Sequence, residues 1–151
     1  LIFIYCRRFC QGCSHHCKNC QNPITWDPNG GLPFDADAKA ELFAELEKDY
    51  ISGITFSGGD PLYISNREAL TILAKEIKET FPEKTTWLYT GYIWEEISAL
   101  PVMAYLDVIV DGKFVDELKD NQLHWKGSFN QRIIDVQKSL EKGTLYLYHA
   151  E

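Results

Sequence analysis

All five cysteines of this 151-residue chain lie between Cys6 and Cys20, and none follows in the remaining sequence. An odd number of thiols in so short a stretch is a poor framework for disulfides. Cysteines confined to one segment are typical of a local metal or redox site in a reducing compartment. The pattern therefore predicts a cytoplasmic protein with a single such site.

Composition limits the possible classes of protein. With 45% hydrophobic and 25% charged residues, the chain has the makeup of one globular domain covering 1–151. It is too short for a closed eightfold barrel of about 250 residues. The net charge of −7 argues against a nucleic-acid partner, and no apolar run approaches the ~20 residues of a membrane helix. The chain does not begin with Met, so we expect an N-terminal segment to be missing.

Hydrophobic periodicity predicts alternating strands and helices. The predicted strands are 1–9, 53–57, 85–90 and 106–110, followed by two possible extended segments, 133–136 and 144–148. The predicted helices are 35–50, a helix that starts at a capping box of Ser65 and Glu68, and 94–100. This alternation predicts an α/β fold with a mainly parallel sheet. Right-handed crossovers would curl that sheet into a partial, open (β/α) barrel.

Four loop segments follow predicted strands. They are the cysteine-rich loop 10–33, the turn 58–61 (Gly-Gly-Asp-Pro), Thr90-Gly91 and Asp111-Gly112. Ligands of open α/β sheets bind at the carboxyl ends of the strands. We therefore expect these segments to share one rim.

The cysteine spacing leaves several interpretations open. Cys10-x2-Cys13 and Cys17-x2-Cys20 could hold zinc, although only three residues separate the pairs, against roughly 15–20 in ribbon-type sites. Cys13-x3-Cys17-x2-Cys20 would instead supply three thiolates to an iron–sulfur cluster and leave one iron open. Cys6-x3-Cys10-x2-Cys13 has the same spacing but places Cys6 inside a predicted strand. We expect Cys6 and Cys10 to be small apolar residues.

Several segments together resemble the radical S-adenosylmethionine superfamily, and within it the activating proteins of anaerobic ribonucleoside-triphosphate reductase. The cysteine loop Gly12–Asn22 with Thr25-Trp26 and the turn Phe56–Leu62 resemble the superfamily's cluster loop and methionine-binding turn. Further similar segments are Trp87–Tyr92, Leu106–Phe114 and Trp125–Val136. The last of these points to the family within the superfamily, and the similarity runs from about Tyr5 to Leu140.

The resemblance implies a 4Fe–4S cluster on Cys13, Cys17 and Cys20, whose open iron binds S-adenosylmethionine. Reductive cleavage would then produce a 5′-deoxyadenosyl radical that takes a hydrogen from a glycine of the reductase's glycyl radical subunit. A one-electron donor such as a flavodoxin is also implied. The residues expected to bind the cosubstrate are Gly58, Gly59, Asp60, Pro61, Thr90, Asp111, Asn130 and Gln131.

The scheme needs no side chain as a general base. We therefore interpret His15 and His16 as solvent-facing residues that tune or cover the cluster. Two alternatives remain: another radical S-adenosylmethionine enzyme, with a different glycyl radical target or a small-molecule substrate, and a zinc-stabilised binding module without catalysis.

Overall fold

The computed structural model describes residues 10–30 and 34–149. The strand predicted at 1–9, together with Cys6, lies outside the described residues. The strands are β1 (Gly53–Phe56), β2 (Thr85–Tyr89), β3 (Val108–Asp111) and β4 (Arg132–Asp135). The helices are α1 (Ala36–Leu46), α2 (Arg67–Thr80), α3 (Trp94–Ile97) and α4 (Val136–Lys142).

The four strands form one open sheet in the order β1-β2-β3-β4. β1, β2 and β3 are parallel, whereas β4 runs antiparallel to β3. The prediction of an α/β fold with a mainly parallel sheet is confirmed. The crossovers that parallel pairing requires are supplied by α2, between β1 and β2, and by the α3 region, between β2 and β3.

Both faces of the sheet are buried, as expected where parallel strands dominate. On one face, buried residues of α2 share one hydrophobic core with Leu88 of β2 and Ile109 of β3. On the other face, Trp87, Val108 and Val110 form a second, smaller core. No helix in the described part of the chain is long and apolar enough to cross a membrane.

The start of α2 differs from the prediction. The capping box at Ser65 is wrong, because Ile64–Asn66 form a 3₁₀ turn and the helix begins at Arg67 without a side-chain cap. The Asn66 amide instead donates to the carbonyl of Gln11 at 2.6 Å. The side chain of the residue that precedes α2 thus bonds to the cysteine loop instead of capping the helix.

The two edges of the sheet are covered differently. Beside β4, Leu147 forms an isolated antiparallel bridge with Ile134. The extended segment predicted at 144–148 therefore pairs with β4 through one bridge rather than forming a full strand. The Tyr148 N–H donates to the Ile133 carbonyl at 2.8 Å. Beyond the end of β1, Cys10 forms a parallel bridge with Gly58, which brings the cysteine loop alongside the strand end.

Candidate functional site

The cysteine loop turns sharply because several of its residues adopt left-handed backbone conformations. Gly12 has φ of 100°, while His16 and Asn19 have φ of 49° and 58°. Glycine reaches this region readily, and asparagine and histidine reach it more easily than most other residues. The turns bring Cys13, Cys17 and Cys20 to the same side of the loop, where all three line one cavity of about 1100 Å³.

The three thiols are free, half-buried and partly hydrogen-bonded. The Asn22 N–H donates to Cys20 Sγ at 3.4 Å. Burial raises the pKa of the Cys13 thiol, with a smaller contribution from Asp60 in the same direction. Thiolates with N–H donors are the ligand environment that iron–sulfur clusters use, so the donor set fits such a group.

A cluster places fewer geometric demands on its thiols than a single ion does. Within 10–30 and 34–149, no three His, Cys, Asp or Glu side chains are arranged to hold one metal ion. In a cubane each thiolate binds a different iron, so the sulfurs need not converge on one point.

The Gly58–Gly59 turn is hydrogen-bonded to the cysteine loop. The Gly59 N–H donates to the Cys10 carbonyl and the Asp60 N–H to the Gly12 carbonyl, both at 2.7 Å. A Cβ on Gly59 would lie 2.6 Å from that Gly12 oxygen, so only glycine fits there. Gly58 has φ of 125°, which also requires glycine. Both glycines line the cavity of the cysteine thiols.

Asp60 is buried, and its carboxylate accepts hydrogen bonds from several chain segments. It accepts from the Thr90 hydroxyl and the Gly91 N–H, each at 2.9 Å, and from the Leu62 N–H within the turn. Asp60 and Thr90 therefore join the turn to the end of β2. Their direct contact with a cosubstrate stays a prediction, as it does for the buried Pro61.

His15 contradicts the solvent-facing interpretation. Its side chain is only 7% exposed, and Nε2 lies 2.6 Å from Asp60 Oδ2. The ring also packs edge-on against Tyr92, with centroids 4.6 Å apart. His16 is exposed as expected and packs against Trp26. The sequence alone does not distinguish the two adjacent histidines, because a loop has no fixed periodicity that assigns side chains to an inner or outer face.

Asp111 is fully buried and does not line the cavity. It accepts from the Trp94 N–H at 2.8 Å and from Arg132 Nε at 3.1 Å, so it ties α3 and β4 to the end of β3. Arg132, whose pKa is raised by its hydrogen bonds to Asp111 and Glu95, is a site-organising residue that sequence reasoning missed. The cosubstrate contact predicted for Asp111 also remains a prediction.

Asn130 and Gln131 organise the loop that follows Gly127. The Gln131 side chain accepts from the Gly127 N–H at 2.8 Å and donates to the Gly112 carbonyl at 3.0 Å. Asn130 is exposed and donates to the Lys113 carbonyl at 2.8 Å. Of the two, only Gln131 lines the cavity.

The expectation of one rim is confirmed for the described segments. The same cavity is lined by residues from the cysteine loop, the Gly-Gly turn, the Thr90-Gly91 pair and Gly112.

Comparisons with known proteins find relatives over most of the chain. A family model described as a 4Fe-4S single cluster domain matches residues 4–134. The chain is 46% identical to the anaerobic ribonucleoside-triphosphate reductase-activating protein of Enterobacteria phage T4, over 83% of this chain and 80% of the relative. It is 40% identical to the protein of that name from Escherichia coli K12, over 83% of this chain and 84% of the relative.

The chain belongs to the family of anaerobic ribonucleoside-triphosphate reductase-activating proteins. The Pasteurella multocida member is 38% identical over 85% of both chains. No solved structure matches the chain. The match to a 4Fe-4S domain supports the iron–sulfur interpretation of the cysteine loop in this family member.

Proposed function

We propose that this protein is a radical S-adenosylmethionine enzyme that installs a glycyl radical on anaerobic ribonucleoside-triphosphate reductase. One observation carries the proposal. Three cysteine thiols and a Gly-Gly turn line the same cavity, and backbone hydrogen bonds of 2.7 Å hold the turn against the cysteine loop. A cluster and a cosubstrate bound at these two segments would be direct neighbours.

Cys13, Cys17 and Cys20 are the proposed ligands of a 4Fe–4S cluster. When bound, the cluster supplies the electron for reductive cleavage of S-adenosylmethionine, and with it the radical that removes a hydrogen from the partner's glycine. The Asn22 N–H that donates to Cys20 Sγ is the kind of donor that surrounds the sulfurs of such clusters.

The chain's own contribution at the cosubstrate is binding and orientation. Main-chain carbonyls of Gly58 and Gly59 would accept from the methionine ammonium, because glycine leaves no side chain to block the approach. Pro61 fixes the end of the turn, and the buried Asp60 adds negative charge behind it. The cavity of about 1100 Å³ exceeds the usual upper size of small-molecule sites, roughly 1000 Å³.

Thr90, Asp111, Asn130 and Gln131 complete the proposed cosubstrate site. Thr90 and Gln131 line the cavity and are proposed to contact the ligand directly. Asp111 and Asn130 support the surrounding strand end and loop through the hydrogen bonds described above.

We also propose that 1–151 is a single domain with the architecture of a partial, open (β/α) barrel. The parallel bridge between Cys10 and Gly58 supports this, because it brings chain alongside the sheet on the far side of β1 from β2. An open architecture suits the reaction, since a loop of the partner's glycyl radical subunit must reach the cavity. The electron would come from a one-electron donor such as a flavodoxin.

The decisive experiment is anaerobic reconstitution with iron and sulfide, followed by incubation with S-adenosylmethionine, a reductant and the reductase. Electron paramagnetic resonance is expected to detect a glycyl radical on the reductase. Cys17→Ala should lose the cluster, S-adenosylmethionine cleavage and the radical, because two thiolates remain of three. Cys10→Ala is the matched control and should retain all three.

Two results would contradict the proposal. Tight binding of one equivalent of zinc, with no cluster absorbance after reconstitution, would favour a zinc-stabilised module. Loss of the cluster in Cys10→Ala but not in Cys20→Ala would show that the ligands are assigned to the wrong cysteines.

A further inference from the structure

His15 belongs to one half of the proposed site and contacts the other. It lies two residues after Cys13 in the cysteine loop, and its ring Nε2 lies 2.6 Å from Asp60 Oδ2. Cys13 is a proposed cluster ligand, whereas Asp60 belongs to the proposed methionine-binding turn. Within the described residues, His15 is the only histidine paired with a carboxylate.

The surroundings of the ring hold it in one orientation. Tyr92 packs against it edge-on, and a Cβ added to Gly91 would lie 2.5 Å from the ring carbon Cδ2. The Gly91 N–H donates to the same Asp60 Oδ2, and the Thr90 hydroxyl contacts both carboxylate oxygens. The imidazole therefore occupies a close-fitting space between the cysteine loop and the end of β2.

We propose that His15 is a positioning residue that couples the cluster ligand Cys13 to the Gly58–Gly59 turn. The ring fixes Asp60, Asp60 fixes the turn, and His15 itself belongs to the short loop segment between Cys13 and Cys17. A change of position at either end is thereby transmitted to the other. This inference rests on the proposed function, because it takes the turn as the binding site of S-adenosylmethionine.

The variants separate the hydrogen bond from the space that the ring fills. His15→Phe keeps a ring against Tyr92 but removes the donor to Asp60. His15→Gln restores an N–H at a position close to that of Nε2. His16→Asn is the control, because His16 is adjacent, exposed and not bonded to Asp60, and asparagine tolerates its φ of 49°.

On reconstituted full-length protein, His15→Phe is expected to weaken S-adenosylmethionine binding about tenfold, which corresponds to loss of one hydrogen bond to a charged group. The change that S-adenosylmethionine causes in the electron paramagnetic resonance signal of the reduced cluster should diminish in parallel. His15→Gln should bind within about threefold of wild type, and His16→Asn should match wild type. Wild-type binding by His15→Phe, or an equal loss in His16→Asn, would overturn the proposal.

Hydrogen exchange on the iron-free full-length chain provides an independent readout. His15→Phe should speed exchange in the peptide covering 56–63, and His15→Gln should not, because the donor to Asp60 is restored. This measurement decides the matter if His15→Phe fails to retain iron, and equal exchange in all variants would then overturn the coupling. If wild-type protein itself does not bind S-adenosylmethionine, the proposed function fails, whereas the exchange result still reports on the His15–Asp60 contact.

Discussion

Gly59 offers a direct test of how closely the Gly-Gly turn must approach the cysteine loop. In Gly59→Ala the new methyl group would lie 2.6 Å from the Gly12 carbonyl oxygen and 2.7 Å from that of Thr25. Ordinary contact begins near 3.4 Å, so each oxygen must retreat by about 0.7–0.8 Å. Both oxygens belong to the backbone rather than to flexible side chains, so they can move away only at a substantial cost in free energy.

The two carbonyls are also hydrogen-bond acceptors. Gly12 accepts from the Asp60 N–H at 2.7 Å, and Thr25 accepts from the Gly12 N–H at 2.8 Å. Overpacking costs about 1–3 kcal/mol, and each weakened hydrogen bond about 1 kcal/mol. We therefore expect a loss of about 2–5 kcal/mol in the free energy of unfolding, which lowers the melting temperature by roughly 5–15 °C for a domain of this size.

The assay is thermal denaturation of iron-free protein, followed by iron analysis and S-adenosylmethionine cleavage after reconstitution. Gly30→Ala is the matched control, because Gly30 lies in the same loop and its new methyl group would lie 3.3 Å from the nearest atom, the Asp27 carbonyl oxygen. That variant should stay within about 1 kcal/mol of wild type. The steric reasoning is refuted if Gly59→Ala melts within about 2 °C of wild type, or if Gly30→Ala is destabilised as strongly.

Two further predictions concern buried groups. Arg132→Leu leaves the Asp111 carboxylate buried without its cation, so the free energy of unfolding measured by urea denaturation should fall by about 3–5 kcal/mol. An unchanged denaturation midpoint would show that the backbone N–H donors stabilise the buried Asp111 without Arg132. In iron-free protein, burial raises the pKa of Cys10 to about 11. Since the thiolate is the reactive form and its fraction falls as pH drops below the pKa, roughly one Cys10 in a thousand is ionised at about pH 8. Mass spectrometry should therefore find Cys10 alkylated last among Cys10, Cys13, Cys17 and Cys20, and early labelling would contradict this burial.

Strand and helix alternation could be predicted because buried strands and amphipathic helices have distinct periods. The ends of these elements depended on single residues. The helix predicted at 94–100 ends at Ile97, and Leu100 is extended before Pro101, where a helical conformation is disfavoured. The extended segment predicted at 133–136 ends at Asp135, whose carboxylate accepts from the Lys138 N–H and begins α4 instead.

The candidate site, like the fold, could be predicted from the sequence only in part. The cysteine spacing and the Gly-Gly turn could be predicted, because ligand chemistry and close backbone approach each require particular residue types at neighbouring positions. The side chains that pair with Asp60 and Asp111 could not be predicted, because each lies far from its partner along the chain. His15 lies 45 positions before Asp60, and Arg132 lies 21 after Asp111. Such pairings follow from the three-dimensional arrangement of strand ends rather than from any pattern within one segment.

The segment that runs along β4 restricts how another protein can associate with the sheet. An exposed edge strand offers unpaired N–H and C=O groups to any extended chain and is a common route to aggregation. Here the Asp135 N–H donates to the Tyr146 carbonyl and the Tyr148 N–H to the Ile133 carbonyl, so these groups are already paired. Strand addition at this edge would have to displace residues 146–148 first. Another polypeptide therefore has easier access to the carboxyl ends of the strands, where the cavity opens.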